Sequence, residues 1–170
     1  FSTAGLFYGC SFSPSSFVIL SNAHNVRVEY CTGYGLRVGD ASNEGNGNIM
    51  LNFSQCRFQG NGDYGFYSDR VCKNFSFYGC DIEGNTTTNF WMDAPQGLTL
   101  SNCYFESTGA TSKDIVLGAG SAAGLFGGVT IEGCFISNPN AVTSCVEIAR
   151  STHVLTGVTM QPCVRNASAS

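Results

Sequence analysis

The sequence predicts an all-β fold, a single-stranded right-handed parallel β-helix (β-solenoid) of about seven coils. Three observations carry that expectation. A phrase with apolar residues five and three positions before a cysteine, and another two after it, recurs at Cys10, Cys31, Cys56, Cys80, Cys103, Cys134 and Cys163. No segment sustains the roughly 3.6-residue periodicity of a helix. Turn sequences such as Gly45-Asn46-Gly47-Asn48 and Gly60-Asn61-Gly62-Asp63 punctuate the chain between phrases.

Each part of the phrase has a place in a coil. Leu51, Phe75, Leu98 and Val129 stand five before their cysteines, Phe53, Phe77, Leu100 and Ile131 three before, and Phe58, Ile82, Phe105 and Ile136 two after. Across all seven phrases only Gly5, Gly33 and Arg165 fail to be large and apolar. The alternating polar positions make these half-buried strands, with the cysteine pointing inward at a corner. Successive cysteines are 21, 25, 24, 23, 31 and 29 residues apart, which suits a coil of two or three short strands. Further apolar positions after the cysteines, among them Phe66, Phe90/Met92, Ile115/Leu117 and Val146/Ile148, supply another sheet.

Composition agrees with stacked strands. The chain is 43% hydrophobic and only 12% charged, about half the usual charged share. Gly, Ser, Asn and Thr fill turns and outer faces instead. A net charge of −4, from eight basic and twelve acidic residues, offers no footprint for nucleic acid. The uncharged run from Ile115 to Ile131 contains five glycines and leads into another cysteine phrase, so insertion in a membrane is not expected. Residues 1–170 read as one β-helix segment of a longer chain.

The nine cysteines are an odd number. Those of the phrase would stack with parallel Cβ vectors about 4.8 Å apart, whereas a disulfide needs converging Cβ atoms about 3.8 Å apart. Reduced, buried thiols are expected, which points to folding in a reducing cytosol. Cys72 and Cys145 lie off the ladder and read as buried thiols.

The phrase, seen best at Phe75 to Asn85, Leu98 to Ser107 and Val129 to Asn138, resembles that of the pectin-lyase-like right-handed β-helix family. Free thiols and a Ser/Gly/Asn-rich, weakly charged surface look like a bacteriophage tailspike or tail-fibre β-helix within it. The resemblance implies a homotrimer of the phage tail virion, folded in the host cytoplasm. Its partner would be bacterial surface polysaccharide, capsule or O-antigen, which such proteins bind and often cleave as glycoside hydrolases. Two other readings stand beside it: a non-catalytic structural or receptor-binding shaft, and a cellular polysaccharide lyase or epimerase.

The columns nominate the site, because outward side chains of successive coils stack. One residue after the cysteines the column reads Arg57, Asp81, Tyr104, Phe135, and three after it reads Gln59, Glu83, Glu106, Ser137. Asp81, Glu83 and Glu106 are therefore the candidate catalytic acids, with Arg57 and Tyr104 beside them as carbohydrate contacts. Glutamates on adjacent coils, about 4.8 Å apart, repel and raise one pKa, as an acid/base pair requires. The plainer reading is solvated acids on a strand face. A second column sets Tyr67 beside Trp91 and Asp69 beside Asp93, each pair 24 apart, as an outward sugar platform. Its plainer reading is a subunit contact or a loop-covered surface.

Gly118-x-Gly120-x-x-Ala123 imitates a dinucleotide fingerprint but runs into the strand phrase at Val129 rather than a helix. It reads as a loop that, with Ser107 to Lys113, lengthens its coil. There is no C-x-x-C or H-E-x-x-H spacing, and His24 and His153 read as isolated turn residues, so neither a metal site nor a cofactor is expected.

Overall fold

The structure, a computed structural model, describes residues 5–11, 18–20, 24–33, 36–38, 49–60, 64–107, 113–119, 126–138, 146–149, 155–160 and 164–167. Among them every element is a strand, and every strand pair is parallel. No helix among the described residues is long and apolar enough to cross a membrane. One sheet has eleven strands and the other six, and the chain passes from one to the other at each cysteine corner. That is a parallel β-helix.

Register is where sequence and structure meet. Strand partners Val26↔Leu51, Asn52↔Ser76, Phe75↔Leu98 and Leu98↔Val129 are offset by 25, 24, 23 and 31 residues. Across the corner, Thr32↔Arg57, Arg57↔Asp81, Asp81↔Tyr104 and Tyr104↔Phe135 repeat those offsets. These are the cysteine-to-cysteine spacings, so the phrase sets the pairing on both sides of the corner.

The corner itself is a left-handed residue immediately before the cysteine: Gly9, Tyr30, Gln55, Gly79, Asn102 and Gly133 have φ between 52° and 61°. One such residue turns the strand through the bend while its N–H stays in the ladder. Gln55 N–H donates to the Tyr78 carbonyl at 2.9 Å, and Gly79 N–H to the Ser101 carbonyl at 2.9 Å. Just beyond, Asp81 N–H donates to the Cys56 carbonyl and Tyr104 N–H to the Cys80 carbonyl, both at 2.8 Å. Thus these N–H groups at the bend are satisfied by carbonyls of the adjacent coil.

Cysteine suits this corner because it is a small hydrophobe with a weak donor. The thiols of Cys56, Cys103 and Cys134 donate to the carbonyls of Ser54, Ser101 and Glu132, each at 3.4 Å. All seven described cysteines are free, and all but Cys10 are buried. Hydrogen bonds with the Cys103 and Cys56 thiols, reinforced by burial, push the Cys80 thiol far up, which keeps it protonated. Cys145 and Cys163 lie outside the described residues.

Gly79 shows how strictly the corner is built. A Cβ there would stand 2.2 Å from Gln55 Nε2, and its φ is +58°. Gly79→Ala is expected to cost about 1–2 kcal/mol, read as a lower midpoint in urea with unchanged slope.

Inside, the predicted positions form one core. Leu51, Phe53, Phe58, Phe66, Phe75, Phe77, Ile82, Phe90, Leu98, Leu100 and Phe105 are all at most 2% exposed. Each contributes about 1.5–3 kcal/mol by burial. Rings of neighbouring coils stack, Phe53 on Phe77 at 4.5 Å and Phe66 on Phe90 at 4.7 Å. His24 begins the strand His24–Glu29 rather than sitting in a turn; His153 lies outside the described residues.

Candidate functional site

Three short strands of the six-stranded sheet, Arg57–Gln59, Asp81–Glu83 and Tyr104–Glu106, lie side by side in register. Their central residues Phe58, Ile82 and Phe105 are buried, which turns the flanking residues outward. Period-2 alternation thus delivers two parallel columns, Arg57–Asp81–Tyr104–Phe135 and Gln59–Glu83–Glu106, onto one face. The five residues nominated there are brought together: Arg57, Asp81, Glu83, Tyr104 and Glu106.

Each acid has a distinct setting. Arg57 Nε donates to Asp81 Oδ2 at 2.8 Å, and Gln59 Nε2 donates to the same oxygen at 3.2 Å. Asp81 Oδ1 is buried and has no hydrogen-bond partner among the described residues. Glu83 accepts a hydrogen bond from Gln59 Nε2, and Glu106 accepts one from the Tyr104 hydroxyl. Burial, then the Asp81 and Glu106 charges, raise Glu83 above the usual carboxylate range, against the opposing pull of Arg57 and Gln59. Tyr104 is pushed up to about 12, first by its bond to Glu106 and then by burial and the nearby acids. Its ring stacks on Phe135 with centroids 5.2 Å apart and planes within 2°.

The aromatic column stands on the other sheet. Tyr67 and Trp91, in register and half-buried, stack at 4.7 Å and 15°, with Tyr64 4.7 Å from Tyr67. At that spacing much of each ring face is turned to its neighbour, so edges and partial faces are what solvent meets. The strands place this stack and the acids on different sheets of the coil.

Asp93 requires a correction. It is fully buried, and the offset of partners changes from 24 at Met92↔Ser68 to 23 at Ala94↔Val71. Asp69 and Arg70 together therefore oppose Asp93, the two-against-one count of a β-bulge. The bulge reconciles the aromatic column with the tighter offset at Phe75↔Leu98, and it removes Asp93 from an exposed platform. The side chain of Asp69 lies outside the described residues. An outward Asp69–Asp93 pair is not what this register makes.

A buried polar cluster escaped the column argument. Asn89 Nδ2 donates to Asp114 Oδ1 at 3.0 Å and to Ser107 Oγ at 3.4 Å, and Ser107 Oγ donates to Asp114 Oδ1 at 2.7 Å. Asn85 Nδ2 donates to Asn89 Oδ1 at 2.7 Å and to the Glu83 carbonyl at 3.1 Å. All four side chains are buried. Glycine is required opposite them, because a Cβ on Gly65 would come within 2.7 Å of Asn85 Nδ2 and of the Asn89 carbonyl oxygen. The cluster anchors the turn that leads out of the Glu83 strand. A signal existed in the sequence: Asn89 and Asp114 directly precede the inward pair Phe90 and Ile115.

Among the described residues no three His, Cys, Asp or Glu side chains are grouped so as to hold a metal ion. Compared with known families, residues 7–164 match the description "Right handed beta helix region". The chain belongs to the right-handed β-helix family. The match spans nearly all of this β-helix, both sheets and the acid face included. No curated protein and no solved structure matches it.

Proposed function

We propose that this β-helix is a tailspike-type module that binds bacterial surface polysaccharide and hydrolyses it at Glu83 and Glu106. The observation that carries the reading is the pair itself, two glutamates in register on adjacent coils, one of them raised by burial and then by its acidic neighbours. Glu83, raised above the usual carboxylate range, donates a proton to the leaving glycosidic oxygen. Glu106, on the next coil, attacks the anomeric carbon as the glycosidic C–O bond breaks, and water deprotonated by Glu83 then hydrolyses the glycosyl ester and frees Glu106. From strands about 4.8 Å apart, rotation of the two glutamate side chains reaches the ~5–5.5 Å between carboxyls that retaining enzymes use. Arg57, held on Asp81, and the ring of Tyr104 line the approach to the acids. The Tyr67–Trp91 stack offers a second contact further round the coil, on a module assembled as a homotrimer in a phage tail.

Glu83→Gln and Glu106→Gln are each expected to lower oligosaccharide release from capsule or O-antigen polysaccharide by about 10²–10⁴-fold, measured by reducing-end analysis and mass spectrometry. Full activity in both variants sinks the hydrolytic reading. A non-catalytic receptor-binding shaft is the second reading, favoured because Asp81, Glu83 and Glu106 each already accept a hydrogen bond from a neighbouring side chain. It predicts glycan binding with no product from any variant or from the parent.

A further inference from the structure

We propose that Gln59 and Tyr104 are positioning residues that draw Glu83 and Glu106 in different directions, so that the two carboxylates act as separate groups rather than as one shared pair. The proposal rests on the hydrolytic reading above, and it names two side chains whose work is on the acids themselves.

Gln59 sits one coil before Glu83 and in register with it. Its amide nitrogen donates to Glu83 Oε1 and to Asp81 Oδ2. An amide NH₂ carries two hydrogens, so a single group can serve both carboxylates at once. Glutamate at that place would add another charge to the cluster, and an apolar residue would release Glu83 while Asp81 stays on Arg57. Gln59 therefore draws Glu83 back toward the preceding coil.

Tyr104 pulls the other way. It precedes Glu106 by two residues on the same strand, and its hydroxyl donates to Glu106 Oε2. The ring is braced by its stack on Phe135. Glu106 is thereby held along its own strand, toward the column of Arg57 and Asp81, while Glu83 is held across strands. Carboxylates on adjacent coils without such ties would titrate as one coupled pair, with the proton shared between them.

The test uses the full chain and carboxyl and phenol carbon NMR titrations of Gln59→Met, Gln59→Ala, Tyr104→Phe and Glu106→Gln. Gln59→Met and Gln59→Ala are expected to move the Glu83 titration further upward, since a donor to its carboxylate is lost. Glu106→Gln is expected to bring the Tyr104 phenol down from about 12. With purified O-antigen polysaccharide as the probe, turnover is expected to fall about tenfold in Gln59→Met and Tyr104→Phe, as for other residues that orient a reacting group. The alkaline limb of the pH–rate profile, where the general acid Glu83 loses its proton, should move upward with it. Tyr104→Phe retains the ring stack, so a loss there belongs to the hydroxyl.

Titrations that stay in place in folded variants overturn the proposal, whether or not the parent cleaves the glycan. Titrations that move, with no release by the parent, uphold the two clamps and overturn the hydrolytic reading alone.

Discussion

Phe77→Ala is expected to destabilise the β-helix by about 3–5 kcal/mol. The side chain is fully buried, stacked on Phe53 at 4.5 Å and edge-on to Phe66 and Phe90, both at 5.0 Å. Truncation therefore strips contacts from three rings at once. The walls of the resulting cavity cannot close in, because backbone ladders on both sides hold successive coils at strand spacing. That places the cost toward the upper part of the range for aromatic truncation. Equilibrium unfolding in urea reads it as a fall in midpoint at constant slope. Phe7→Ala provides the contrast: its ring also belongs to the inward series, yet it is 38% exposed. A loss below about 1 kcal/mol for Phe77→Ala would mean that the core relaxes, against the rigidity of close-packed interiors.

Asn89→Leu is expected to be nearly as damaging, at about 3–5 kcal/mol, although it exchanges a polar side chain for an apolar one of similar size. Asn89 is the hub through which Asn85, Ser107 and Asp114 are joined. Removing it takes one donor from a buried carboxylate and an acceptor from a buried amide, and neither group can turn to water. Asp114→Asn, which keeps the shape and removes the charge, is expected to cost far less. Unfolding in urea separates the two variants directly. A neutral or stabilising Asn89→Leu would show that apolar packing can replace the cluster.

How much of this was legible follows from what repeats. The cysteine phrase carries periodic information, and register, buried face and outward columns all derive from the same spacing. Arg57, Asp81 and Glu83 could therefore be placed together from residue numbers alone. The left-handed corner was half visible: Gly9, Gly79, Asn102 and Gly133 advertise it, whereas Tyr30 and Gln55 adopt the same conformation against their own preference. Asp93 was misplaced, because the change from an offset of 24 at Tyr67 and Trp91 to 23 at Cys80 and Cys103 signals a slippage without saying at which residue it falls. The cluster around Asp114 stayed hidden for another reason. Asn and Ser in a turn look the same to a pattern reader whether they face water or satisfy one another inside. The aromatic stack was found by its spacing, but the turning of its faces inward on each other depends on side-chain angles that a column does not contain.

Spacing between corners varies from 21 to 31 residues, yet pairing on either side of each corner keeps step with it. The residues added to a longer coil therefore fall outside the strands that pair on either side of the corner. The molecule has, in effect, a keel and a fringe. Along the keel, corner residues and the acids beside them stay aligned however long a coil becomes. On the fringe, segments can be lengthened, shortened or exchanged without disturbing that alignment. Grafting new loops there is a route to altered recognition that leaves Glu83 and Glu106 in register on adjacent coils.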